Sequence, residues 1–151
     1  MSLSSTFYNR LVNPVMRVLL RSPLHGAVSG NISILHFKGR RSGRALNTPL
    51  SYVRDGDTVL FLSSTNTGWW KNFRDGEPAV EVELGRERLP GTATLLEGDS
   101  EALRDRVRQF LTALPRDAMV YGIKLDKSRL PVEDSLAKAA PKLILVEVAL
   151  D

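Results

Sequence analysis

Apolar residues recur at Phe7, Leu11, Val15, Val18 and Leu19, the spacing of one helix face. Inside that stretch Asn13-Pro14 has the pattern of an N-cap followed by proline in the first helical position, and Ser22-Pro23 ends it. Residues 1–22 therefore read as a helical segment, split into two short helices. The pattern then changes. Ile32 to Phe37 is a near-continuous apolar run, the signature of a buried strand. Leu46 to Arg54 and Thr58 to Ser63 flank Asp55-Gly56, a strong hairpin signal. Gly68 to Arg74 predicts a short helix carrying Trp69 and Trp70, with Thr67 as its N-cap and Asp75-Gly76 at its end. Ala79 to Leu84 alternates, with Val80, Val82 and Leu84 set against Glu81 and Glu83, which read as a solvated face. Gly85-Arg86-Glu87 turns this strand into another from Arg88 to Leu96, where Pro90-Gly91 predicts a bulge or a sheet edge. Ser100 starts a helix whose stripe is Leu103, Val107, Phe110, Leu111 and Leu114, stopped by Pro115. Residues 116–141 carry no clear period, and Lys142 to Leu150 closes as an apolar strand.

The order is helix, three strands, short helix, two strands, helix, strand. Hairpin-linked strands dominate, so the expected fold is mainly β: a six-stranded antiparallel barrel with flanking helices, in one domain spanning residues 1–151. The pattern is not the alternation of strands and helices that makes a doubly wound nucleotide-binding sheet.

Charge sharpens this picture. Residues 1–54 carry eight Lys or Arg and no Asp or Glu, a local +8 in a chain whose net charge is +4. Such asymmetry points to an anionic partner for the first third: a phosphate-bearing cofactor, a membrane surface or a nucleic acid. With no cysteine, disulfides, thiolate metal sites and cysteine nucleophiles are excluded. Neither His25 nor His36 has a partner at metal-ligand spacing, so no metal site is expected, and His36 reads as a satisfied strand residue. No stretch has the length of apolar residues that a membrane span needs, and Arg10, Arg17 and Arg21 interrupt what would be the apolar core of a signal peptide. A cytoplasmic location is the expectation.

Chemistry concentrates in three places. In the loop Gly39-Arg40-Arg41-Ser42-Gly43-Arg44, two glycines allow a tight turn with outward N–H groups, and three guanidinium groups suit phosphate oxygens. It is no P-loop, because the second glycine comes early and no Gly-Lys-Ser/Thr follows. Thr48-Pro49 lies just beyond; its hydroxyl is a candidate donor to the same anion, and a strand-start proline at an edge is the alternative. The run Ser63-Ser64-Thr65-Asn66-Thr67-Gly68, followed by Trp69, Trp70 and the two-way amide of Asn72, offers hydroxyls and aromatic faces to a flat heterocycle, with one tryptophan expected in the core. No catalytic triad or acid–base pair stands out, which suits a protein whose cofactor does the hard chemistry.

Gly39-Arg40-Arg41-Ser42-Gly43, Thr48-Pro49-Leu50, Asp55-Gly56-Asp57 and Trp69-Trp70-Lys71-Asn72, in that order and spacing, resemble the deazaflavin-dependent nitroreductase family of split-barrel flavin/deazaflavin oxidoreductases. The resemblance runs from about Asn9 to Leu150. It implies a split β-barrel like that of the pyridoxamine phosphate oxidases and FMN-binding split barrels. It implies coenzyme F420 as cofactor and hydride transfer from its reduced ring to an electron-poor quinone, enone or nitro compound. Arg40, Arg41 and Ser42 would hold the phosphate and acidic tail. Leu46, Asn47, Thr48, Pro49, Leu50 and Ser51 would line the same groove. Leu62, Ser63, Ser64, Thr65, Gly68, Trp69, Trp70, Lys71 and Asn72 would cradle the ring. Family members are tyrosine-rich on the substrate side, whereas residues 116–141 here hold only Tyr121. Tyr121 is thus the candidate substrate-side residue and proton donor, with packing of a loop against the barrel as its alternative.

Three other readings stay open at this point. The same fold holding FMN would make less use of three arginines. A non-catalytic, cofactor-storing or peripheral membrane protein would use Arg10, Arg17 and Arg21, which share one helical face, on anionic lipid. Nucleic-acid binding is opposed by the acidic remainder of the chain. A homodimer is compatible with all of them.

Overall fold

The computed structural model describes residues 32–151. The expected helices of residues 1–22, with Arg10, Arg17, Arg21 and His25, lie outside the described residues.

Six strands close into an antiparallel barrel: β1 (Ile32–Lys38), β2 (Ala45–Asp55), β3 (Thr58–Ser64), β4 (Ala79–Leu84), β5 (Glu87–Glu97) and β6 (Leu143–Leu150). Around the barrel the order is β1-β2-β3-β6-β5-β4, with β4 pairing back onto β1. Each strand expected from the sequence forms, within a residue or so at each end. The β2–β3 loop is Gly56-Asp57, with Gly56 at φ 60°, the left-handed first position that a type II′ hairpin reserves for glycine.

Two cores explain the uninterrupted apolar runs of β3 and β6. Val59 and Phe61 of β3, and Ile144, Val146 and Val148 of β6, point into the barrel beside Leu35, Val82 and Ala93. Their neighbours Leu60, Leu62, Leu143 and Leu145 point outward under α1 (Glu101–Ala113), against Leu103, Val107, Phe110 and Leu111. Both faces of each strand are covered, so alternation disappears from the sequence. Ser100 caps α1 as expected, its Oγ accepting the Leu103 N–H at 3.1 Å. Pro115 ends the α-helix but opens a 3-10 segment, Pro115–Tyr121; a short helix α2 (Glu133–Ala139) follows.

Three local expectations are corrected. Pro90-Gly91 makes neither bulge nor edge: β5 stays in regular register with β4 through Glu81–Pro90 and Val80–Gly91, and with β6 through Gly91–Leu150. Glycine is needed there for contact, since a Cβ would come within 2.7 Å of Val148 Cγ1 and 2.8 Å of the Ala149 carbonyl oxygen. Thr67 is not an N-cap. The 3-10 segment Trp69–Phe73 has Gly68 in that position, and Thr67 Oγ1 donates backwards to the Ser64 carbonyl at 2.8 Å. Finally, Glu81 and Glu83 are not one solvated face. Glu83 is 14% exposed and meets His36 Nε2 at 2.6 Å, so His36 is satisfied as expected, while Glu81 pairs with Arg88 at the surface.

Candidate anion and ring-binding site

The barrel is split on one side. β2 pairs with β1 along Ala45–Ser51 but with β3 only along Tyr52–Asp55. The outer edge of Ala45–Ser51 is therefore left unpaired by β3, and Pro49, which has no N–H to give, sits in that stretch. Beside the opening, the 3-10 segment Trp69–Phe73 closes the barrel end. Trp70 and Phe73 are buried at 2% and 1% exposure, with Phe73 edge-on to Phe37 at 5.3 Å. Trp69 is half-buried and lies edge-on to Phe73 at 5.9 Å.

The β1–β2 loop folds over this segment. The Gly39 N–H donates to the Arg44 carbonyl, and the Gly43 N–H to the Gly39 carbonyl, both at 2.9 Å; Gly43 adopts φ 68°. The Arg44 N–H donates to Ser42 Oγ at 3.2 Å. These bonds draw the loop shut and leave the N–H groups of Arg41 and Ser42 without a hydrogen bond among the described residues. One amide then ties the loop down: Asn72 Oδ1 accepts the Arg40 N–H and Asn72 Nδ2 donates to the Trp69 carbonyl, each at 2.9 Å. The Arg40 guanidinium adds an ion pair with Asp75 at 2.8 Å. Asp75, unremarkable in the sequence, is a site residue that pattern reading missed; a contact between residues 35 apart is set by strand register, which leaves no local signal.

A cleft of about 470 Å³ results, bounded by Arg40, Arg41, Ser42 and Leu46 on the loop side and by Gly68, Lys71 and Asn72 on the other. Most arginines elsewhere are paired with carboxylates: Arg74 with Glu97, Arg88 with Glu81, Arg104 with Asp99, Arg106 with Glu147, Arg108 with Glu133. Arg41 and Arg44 have no such counter-ion among the described residues, and both are exposed. The indole Nε1 atoms of Trp69 and Trp70 are both buried and unpartnered among the described residues. Arg41 in the cleft and Arg44 on the same loop, with two N–H groups that have no partner among the described residues, suit an anionic ligand.

The remaining expected residues are distributed unevenly. Of Leu46–Ser51, Leu46 alone lines this cleft. Asn47 lines the adjacent groove with His36 and Glu81, and Thr48 and Pro49 are buried in the strand. Three of the four hydroxyls in the polar turn bond within it. Ser63 Oγ meets Thr67 Oγ1 at 3.0 Å, Ser64 Oγ donates to Asn66 Oδ1, and the Thr65 N–H donates to the Lys142 carbonyl at 2.9 Å. Tyr121 stands apart from the basic cleft. Its hydroxyl donates to the Leu62 carbonyl at 3.0 Å and its ring packs on the outer core, as a loop-packing tyrosine does. Burial, reinforced by the nearby Asp117 carboxylate, pushes that hydroxyl up to about 12, so it holds its proton firmly at neutral pH. Among the described residues no three His, Cys, Asp or Glu gather as metal ligands, and no helix is long and apolar enough to cross a membrane.

A family model described as F420H(2)-dependent quinone reductase matches residues 8–134. An F420H(2)-dependent quinone reductase of Mycobacterium tuberculosis is 34% identical over 65 residues, 40% of this chain and 43% of that protein, so the similarity spans less than half of the relative's length. Among solved structures, an F420-H2 dependent reductase superposes with a TM-score of 0.55 at 20% identity, covering 79% of this chain and 94% of that one. A Listeria innocua protein provisionally assigned as a pyridoxamine 5'-phosphate oxidase gives 0.53 at 12% identity, covering 91% and 94%. At such identities the likeness is one of fold: the split barrel expected from the sequence. Because the family match runs through β1–β5, the basic loop and the tryptophan segment alike, the chain belongs to the F420H(2)-dependent quinone reductase family.

Proposed function

We propose that this protein binds coenzyme F420 in the basic cleft and reduces an electron-poor organic substrate of the quinone class. The observation that carries the reading is the pair of uncompensated guanidinium groups, Arg41 and Arg44, on a loop that Asn72 holds beside Trp69. When bound and reduced, the deazaflavin supplies a hydride; the protein's own task is to bind and orient. The Arg41 and Ser42 N–H groups and the Arg41 and Arg44 guanidinium groups would hold the phosphodiester and the carboxylates of the tail. Arg40 has its N–H on Asn72 and part of its guanidinium on Asp75, so it chiefly fixes the loop. Leu46 and the aliphatic stem of Lys71 would flank the linker between tail and ring. The turn Ser63–Gly68, held by its own hydrogen bonds, would give the ring a wall already ordered before it binds. Tyr121, with its hydroxyl on the Leu62 carbonyl, supports that wall from behind.

The test is turnover. Purified protein with reduced F420 and a soluble quinone should return the oxidised cofactor's absorbance in proportion to enzyme. Tight cofactor binding without turnover on quinones, enones or nitro compounds would leave only cofactor storage.

A further inference from the structure

A second cleft, of about 420 Å³, lies between the segment Tyr121–Lys124 and α2. Tyr121, Val132 and Ala139 are its apolar lining residues. Three lysines line it, Lys124, Lys138 and Lys142, against one carboxylate, Asp134. No hydrogen bond or ion pair engages the three ammonium groups among the described residues, whereas α1 beside them pairs Arg104, Arg106 and Arg108 with carboxylates. Two bonds fix the cleft wall to the end of β3: the Thr65 N–H donates to the Lys142 carbonyl at 2.9 Å, and the Tyr121 hydroxyl to the Leu62 carbonyl at 3.0 Å.

We infer that this cleft binds a flat aromatic molecule bearing a carboxylate, sulfonate or phosphate. The volume suits two or three fused rings. Tyr121, Val132 and Ala139 offer apolar surface, and the lining carries a net excess of two positive charges. That this ligand binds does not depend on the function proposed above, since the two clefts share no lining residue.

The experiment is calorimetric titration of the full chain, without F420, using anthraquinone-2-sulfonate and its neutral analogue 2-(hydroxymethyl)anthraquinone. Three exposed lysines predict roughly tenfold tighter binding of the sulfonate, a preference that shrinks with added salt. Lys124→Met, Lys138→Met and Lys142→Met combined should erase the preference, and the same three changed to arginine should restore it. Arg41→Ala with Arg44→Ala should leave it intact. Equal affinities, no binding of either probe, or a preference lost with the loop arginines instead of the lysines would overturn the assignment. A separate F420 titration reports on the basic cleft, so the two ideas fail independently.

Discussion

Asn72→Leu isolates what holding the basic loop in place is worth. The change keeps the side chain's size and charge but removes the acceptor for the Arg40 N–H and the donor to the Trp69 carbonyl. Both freed groups lie at a cleft open to water, so the loss of stability should stay near 1 kcal/mol, the net worth of exchangeable hydrogen bonds. The larger effect falls on binding. Ordering one residue's backbone costs about 1–2 kcal/mol, and the Arg41–Ser42 stretch must then be ordered by the ligand. The Gly39 and Gly43 bonds and the Arg40–Asp75 pair still restrain the loop, so the low end applies, about 1 kcal/mol, or roughly fivefold in affinity. The assay is a fluorescence titration with F420 at two ionic strengths, alongside a thermal melt. A positioning defect persists in high salt, whereas deletion of a charge is masked by it. Affinity within twofold of the unmodified protein would refute the reasoning, as would a loss that vanishes at high salt.

Other consequences follow from single contacts. Gly91→Ala should cost about 1–3 kcal/mol in denaturant unfolding, because the new methyl meets β6 at 2.7–2.8 Å. Ser100→Ala removes the cap on the Leu103 N–H and should cost about 1 kcal/mol. The raised ionisation of Tyr121 stabilises the fold below pH 10, and that contribution is lost as the pH rises towards about 12. Tyr121→Phe should therefore flatten the alkaline fall in stability over that window by roughly 2 kcal/mol, read from denaturant midpoints. If the two proteins lose stability in parallel above pH 10, the Tyr121 assignment is wrong.

How much of this is legible in the sequence differs from place to place. The strands are readable because β4 alternates, while β3 and β6, buried on both faces, announce themselves as unbroken apolar runs. The basic loop is readable because glycine spacing and three arginines are local signals. The role of Arg40 is not: its partners Asn72 and Asp75 come from the far end of the tryptophan segment, and only the barrel's closure brings them near. Hydroxyl-rich sequence at Ser63–Thr67 suggests donors for a ligand, yet short-range bonds consume most of them, the usual competition between polar side chains and nearby backbone. Residues 116–141 resist reading because two 3-10 and turn segments and a seven-residue helix offer no sustained period; their shape depends on long-range bonds such as Tyr121 to Leu62.

The central claim is that Arg41 and Arg44 form the anion site of a deazaflavin-binding cleft. Its most direct test is a parallel titration of F420 and FMN into the unmodified chain and into Arg41→Ala/Arg44→Ala. The account predicts tight binding of F420, much weaker binding of FMN, and loss of at least tenfold in F420 affinity in the variant, with a shallower salt dependence. Equal affinity of the variant for F420, or a preference of the unmodified chain for FMN, would contradict it.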